Sequence, residues 1–309
     1  MARGTILSMG LIIVLLSLPG LIRGQDAASR PASSSYAKEI EQWRAKRVED
    51  LAGEDGWLSL AGLFWLNPGQ NRFGSAPTNH IILPKNRAPR FAGSLWLDKG
   101  VVRLQARPGS GLTHKGANVT DLELKSDADG DQTVLRLGSL KLYVIKRGEK
   151  LGLRVKDTKN PARFRFAGIA HFPLDLKWRV EAKLEPYDPP KLIPIVNVLG
   201  MVDQMTSPGV LVFKSGEKTY RLEPVLERGE KPLFIIFADL TTGKDTYGAG
   251  RYLYADPPGD DGKVILDFNR AHNPPCAFTR FATCPLPPQQ NRLPIRVEAG
   301  EKKYINSKH

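Results

Sequence analysis

Cysteine is nearly absent from this chain: two occur among 309 residues, Cys276 and Cys284, so at most one intrachain bridge is available. The other absences narrow the function. The Gly-rich motifs that cradle phosphates or bind dinucleotides are missing, which disfavours nucleotide-dependent chemistry, and no cofactor is expected. A Gly-x-Ser-x-Gly elbow is lacking, and Ser207 lies in a turn context, so a serine triad has no support. No block of about five or six Lys or Arg occurs, although the formal charge is +13, and a nucleic-acid arm is therefore not indicated. The basic residues are scattered among acidic and apolar ones and read as solvated strand faces. Their excess would still favour weak association with anionic polymers or lipid headgroups.

The N-terminal 1–24 read as an export signal, with Arg3 as the positive end and an apolar run from Ile6 to Ile22. That run is short for a membrane span, which needs about 20 apolar residues, and no later stretch reaches that length. The expectation is an exported protein, periplasmic or extracellular, with no transmembrane segment after cleavage. Small and polar residues over 25–35 predict a disordered lead. The spacing of Tyr36, Ile40, Trp43 and Leu51 predicts an amphipathic helix over 36–53, capped by Ser34 or Ser35 and placing Trp43 against a sheet.

From Trp57 onward the apolar period changes to two. Leu140, Leu142 and Val144 alternate with polar neighbours, turn at Arg147–Lys150, and resume at Leu151, Leu153 and Val155. This predicts a hairpin with one buried and one wet face. A second hairpin turns at Ser215–Lys218. PLFIIFADL shows no alternation and predicts a strand covered on both faces. Many short strands with 29 glycines and 24 prolines predict a mainly β protein of packed antiparallel sheets, a sandwich or partly open barrel. Two β units are expected, over 56–157 and 160–303, divided near NPARFRF. Trp57, Phe64, Trp65 and Phe73 read as core aromatics rather than sugar-stacking rings.

The densest chemistry lies between Phe237 and Gly300. Asp239, Asp267 and His272 are catalytic candidates, an Asp–His pair serving as general base, with Arg251 holding an anionic substrate. Tyr247, Arg251, Asn269 and Asn273 are binding candidates. The structural alternative makes Asp267 and Arg251 an ion pair and turns Asn269 and Asn273 to loop backbone. For Cys276 and Cys284 a disulfide is expected; free buried thiols, or a metal site with His272, are the alternatives, and no metal is expected. His171 reads as a partly buried strand-end residue, and His80 and His114 as surface residues. Asp127, Asp129 and Asp131 resemble part of a calcium loop without its closing Glu, and read as an acidic hairpin tip.

Four segments, GWLSLAGLFWLNPGQNRFGS, RVKDTKNPARFRFAGIAHFPLD, FADLTTGKDTYGAGRYL and LDFNRAHNPPCAFTRFATCPLPPQQNRLP, together resemble the domain-of-unknown-function family 1684 over nearly all of the mature chain. The family carries no established reaction, so the resemblance implies no substrate and no catalytic residue. The segment NRFGS…VVRL followed by LGSLKLYVIKRG has the rhythm of forkhead-associated sandwiches, without their Gly-Arg and Ser-x-x-His signatures. That similarity is topological and licenses no function. The function expected is non-catalytic binding of an unknown small molecule or envelope polymer. The alternative is a hydrolase built on Asp239, Asp267, His272 and Arg251.

Overall fold

The computed structural model describes Met1 and residues 33–305; apart from Met1, the signal expected over 1–24 and most of the lead expected over 25–35 lie outside the described residues. The N-terminal helix runs Ser34–Ala52 and buries Tyr36, Ile40 and Leu51. It starts two residues before the expected position because Ser33 is the cap, its side chain accepting the Tyr36 amide at 3.3 Å. Trp43 is half-buried, its ring 6.1 Å from that of His272.

The fold is mainly β with antiparallel sheets, one of them nearly closed into a barrel. One six-stranded sheet runs in the order Leu60–Trp65, Lys150–Asp157, Leu140–Arg147, Val134–Leu137, Thr113–His114, Ala117–Asn118. A five-stranded sheet centred on Gly69–Gly74, Gly93–Asp98 and Val101–Ala106 shares its core, which includes Phe73, Leu95, Leu104, Leu142 and Val155. Its contact between Gly69–Gly74 and Ile81–Ile82 is parallel.

The Leu140–Asp157 hairpin turns where expected, Arg147 facing Lys150, but its second face is not wet. Lys141 and Arg154 are only 6% and 5% exposed. Asp55 receives the Lys141 ammonium at 2.7 Å, and Trp57 lies against the Arg154 guanidinium at 5.6 Å. The chain entering the first strand folds over this face, which strand periodicity alone does not register.

A seven-stranded sheet contains Arg251–Ala255, Leu233–Phe237, Val225–Leu226, Val202–Ser215, Arg179–Val196 and Lys263–Asp267 in that order, with Lys218–Leu222 paired to Val202–Ser215. Leu233–Phe237 is buried at all five positions, as its unbroken apolar run implies. The alternation is still present: Leu233, Ile235 and Phe237 enter the core with Phe268 and Leu266, while Phe234 and Ile236 enter another with Ile195, Tyr252 and the two cysteines. Arg251–Ala255 pairs with Leu233–Phe237, whereas Lys263–Asp267 pairs with Arg179–Val196. Asp239 and Asp267 are thereby led to different surroundings. No helix among the described residues is long and apolar enough to cross a membrane.

Candidate functional site

Asp239 and Arg251 come together in the interior. Arg251 is 1% exposed, and its Nη2 lies 3.1 Å from Asp239 Oδ2. The guanidinium also donates to the carbonyls of Val297, at 2.9 Å, and Ala299. Asp239 accepts from the Val297 amide at 2.6 Å and from the hydroxyls of Thr241 and Thr242. Burial lowers the Arg251 pKa, but the carboxylate beside it acts in the opposite direction. The strand pairing that sets Phe237 opposite Arg251 produces this contact, because Asp239 follows two residues after Phe237. The expected ion pair thus exists with Asp239, not Asp267, as its acid.

Asp267 anchors the helix. The Tyr36 hydroxyl sits 2.8 and 2.9 Å from its two oxygens, and the Asn269 amide group donates to that hydroxyl at 3.1 Å and to the Asp175 carbonyl at 2.9 Å. Asn273 donates its backbone N–H to Glu301 at 2.7 Å and its side chain to the Lys302 carbonyl at 2.8 Å. The fully buried Glu301 carboxylate pairs with Arg47 of the helix at 2.9 Å. Tyr247 donates to the Cys276 carbonyl at 3.0 Å. Most of the polar density read from the motif therefore fastens loops and helix to the seven-stranded sheet.

Cys276 and Cys284 are free and buried, and they approach to 3.4 Å. The expected disulfide is not formed: that separation is contact, well beyond the S–S bond length of about 2.05 Å. The Cys276 amide donates to the Cys284 sulfur at 3.1 Å. Burial pushes the Cys284 thiol up, while its contact with Cys284 lowers Cys276. Among the described residues no three His, Cys, Asp or Glu side chains gather as a metal-binding group.

His272 borders two cavities. Its backbone pairs with Tyr252 through reciprocal hydrogen bonds of 2.9 Å. Its Nδ1 lies 3.1 Å from the Arg270 carbonyl, which can only accept, so Nδ1 carries the proton and Nε2 keeps a lone pair. Enclosure by Trp43, Tyr252 and Tyr254, with the Arg47 charge nearby, lowers its pKa to about 3. The ring is neutral at physiological pH and too weakly basic for efficient proton abstraction there. It is a hydrogen-bond acceptor.

Two cavities meet at His272 and Tyr254. The larger is a cleft of about 760 Å³ between the six-stranded sheet and the seven-stranded one; Trp57, Asp127, Arg147, Glu227, Tyr252 and Cys284 are in its wall. The smaller, about 350 Å³, is bounded by Trp43, Arg179, Asp256, Asp267 and Arg270. Both fall in the roughly 300–1,000 Å³ range of ligand pockets. Arg147 bridges the cleft, pairing with Asp127 at 2.7 Å and donating to Thr283 at 3.1 Å. Tyr254 donates to Glu227 at 2.8 Å, and burial raises that carboxyl's pKa. Lys146 Nζ and the carboxylates of Asp203 and Asp256 have no hydrogen bond or ion pair among the described residues.

Of the sequence candidates, Asp267 and His272 line a common cavity; Asp239 and Arg251 do not. Arg47, Arg147, Glu227 and Tyr254 were missed. Nothing in the sequence separates Arg147 or Glu227 from other charged residues near turns; strand pairing and sheet packing bring them to one space. Trp57, read as a core aromatic, packs partly against the core and also stands in the cleft wall, a place that depends on that packing. Asp127, expected at an acidic hairpin tip, also lines the cleft, where it pairs with Arg147. His171 is half-buried at a bridge to Glu301, where burial lowers its pKa to about 4.

No curated protein matches this chain. A solution NMR structure of an uncharacterised protein from Haloarcula marismortui is 30% identical over 47% of this chain and 80% of that one, with a TM-score of 0.40. Two FHA domains are each 21% identical over 30% of this chain. One, from a study of phosphothreonine-dependent interactions, is covered over 92% with a TM-score of 0.22; the other, complexed with the intracellular domain of another protein, over 96% with a TM-score of 0.21. At these scores neither carries a functional argument. The family model described as protein of unknown function (DUF1684) matches residues 164–302, a narrower span than the resemblance read along the sequence. That span holds the seven-stranded sheet from Arg179 onward and, with it, Asp267 and His272 of the smaller cavity, and through it the chain belongs to the DUF1684 family.

Proposed function

We propose that this chain is an exported, non-catalytic binding protein whose cleft takes a saccharide segment of an envelope polymer. The observation that carries this reading is the composition of the cleft. Aromatic rings of Trp57, Tyr252 and Tyr254 stand beside charges of both signs, and the side chains of Lys146 and Asp203 make no hydrogen bond or ion pair among the described residues. A sugar presents C–H faces that suit aromatic rings and hydroxyls that suit both carboxylates and cations. The overall positive charge adds attraction to anionic envelope polymers. The hydrolase alternative is weakened because Asp239 and Arg251 satisfy one another away from either cavity.

Titration calorimetry with soluble glycan strands released from cell wall, and with N-acetylglucosamine oligomers, tests the reading. Binding that weakens in Trp57→Ala and Tyr254→Ala is expected, with the oligomers recovered at their original length. Shortened products would replace binding by hydrolysis, and no heat with any saccharide would sink the proposal. Export is tested separately: the mature N-terminus should lie within a few residues of Gln25, and Met1 on the bulk of a membrane-embedded pool would overturn it. In an oxidising compartment the touching thiols of Cys276 and Cys284 would pair, adding about 2–3 kcal/mol on the chain-entropy model. Protein purified without reductant should then show no free thiol when denatured; two free thiols would leave them as packing residues.

A further inference from the structure

The two cavities have a common wall. Tyr254 and His272 border both, with rings stacked at 5.9 Å and 13° between planes. Tyr254 also stacks with Phe234 at 4.9 Å and 14°. The three rings form a ridge, with Trp43 beyond it in the smaller cavity and Trp57 in the larger. Each cavity also has its own polar equipment. The smaller holds Arg270, paired with Glu39 and lying 3.4 Å from Asp267, and Asp256, whose carboxylate has no hydrogen bond or ion pair among the described residues. The larger holds the Arg147–Asp127 pair and Lys146, whose ammonium makes no hydrogen bond or ion pair among the described residues.

A small ligand confined to the cleft would leave the second ring-and-carboxylate set unused. Resting on the saccharide reading, we infer that the ligand is an oligosaccharide chain laid across the Tyr254–His272 ridge, with successive sugars in the two cavities. The ridge suits a linear polymer of rings. Tyr254 is 43% exposed and borders both cavities, while the Nε2 of His272 accepts from a sugar hydroxyl. Filling a second cavity from the same molecule adds contacts without a second loss of overall translational freedom, so affinity should rise with chain length until both are filled.

The experiment is calorimetry with N-acetylglucosamine oligomers from monomer to hexamer on the protein and three variants. The tetramer should bind at least about tenfold tighter than the dimer, and longer oligomers should add little. Trp43→Ala and the exposed-site variant Asp256→Asn should abolish that gain while leaving dimer affinity within about twofold, since the dimer occupies the larger cleft. Trp57→Ala should weaken every length. Equal affinity for dimer and tetramer, or a loss in Trp43→Ala that is the same at all lengths with Asp256→Asn silent, would overturn the two-cavity inference and leave the cleft reading standing. Absence of binding at every length overturns both.

Discussion

At Asp239 and Arg251 the charges are withdrawn from water, with side chains 0% and 1% exposed and both carboxylate oxygens accepting hydrogen bonds. At Asp127 and Arg147 a shorter pair, 2.7 Å apart, keeps 27% and 26% of its side-chain surface. The first cluster arises within one motif, along adjacent strands of one sheet. The second is assembled from a hairpin tip, a strand end and, through Thr283, a loop of the other sheet. The difference follows from desolvation. A buried charge must be fully coordinated by the protein, which leaves nothing for a ligand, whereas a partly hydrated pair can exchange water for ligand groups. Chemical density in sequence therefore marks where this fold is fastened, and the open cavities are built mainly from more scattered residues.

The largest expected effect tests the buried side. Asp239→Ala leaves Arg251 charged and unpaired in the interior and should cost about 3–5 kcal/mol in urea unfolding. A loss below that of an exposed-residue control would break the contrast. Gly250, next to Arg251, comes second. It has φ +84°, and a Cβ there would stand 2.5 Å from both the Phe237 carbonyl oxygen and Pro287 Cγ. Gly250→Val should cost more than about 2 kcal/mol, read from the same unfolding curves; an unchanged midpoint would show that the Pro loop yields.

Acid should next distinguish the two histidines of the C-terminal region from the carboxylate clusters. The unfolded chain takes a proton at His171 and His272 as pH falls below about 6.5. The folded chain resists until about pH 4 at His171 and about pH 3 at His272. Their contribution is fully present above 6.5 and is lost as pH falls through that window, because the unfolded state binds more protons there. Melting midpoints should therefore drop between pH 6.5 and 4. The drop should be shallower in His272→Gln, and an unaltered slope would remove the buried, neutral histidine from the account. The smallest effect on stability belongs to the cleft. Arg147→Ala should change it by less than about 1 kcal/mol, as expected for a partly hydrated pair, while weakening saccharide binding. A large stability loss would place Arg147 with the fastening residues and erase the comparison.

Much of the fold was legible because strand periodicity and turn chemistry are local. The Arg147–Lys150 and Ser215–Lys218 turns and the doubly covered Leu233–Phe237 strand all follow from residue order. The wet face expected for the Leu140–Asp157 hairpin failed because burial of Lys141 and Arg154 depends on Asp55 and Trp57, segments distant in sequence. The candidate site was legible only in part. His272 and Asp267 were found by their company in a motif, while Glu227 and Arg47 gave no local signal.

The sequence by itself determined a mainly β chain with a leading helix, the family of its 164–302 region, and the residues that can form ions, hydrogen bonds or a disulfide. Only the tertiary structure decided which of those groups were used up. Asp239 was given to Arg251, Asp267 to Tyr36, and Asn273 to Glu301 and Lys302. His272 alone among the catalytic candidates was left bordering both cavities. The physical reason is that a polar group's availability depends on the partners and water around it, and pairing across strands far apart in sequence sets both.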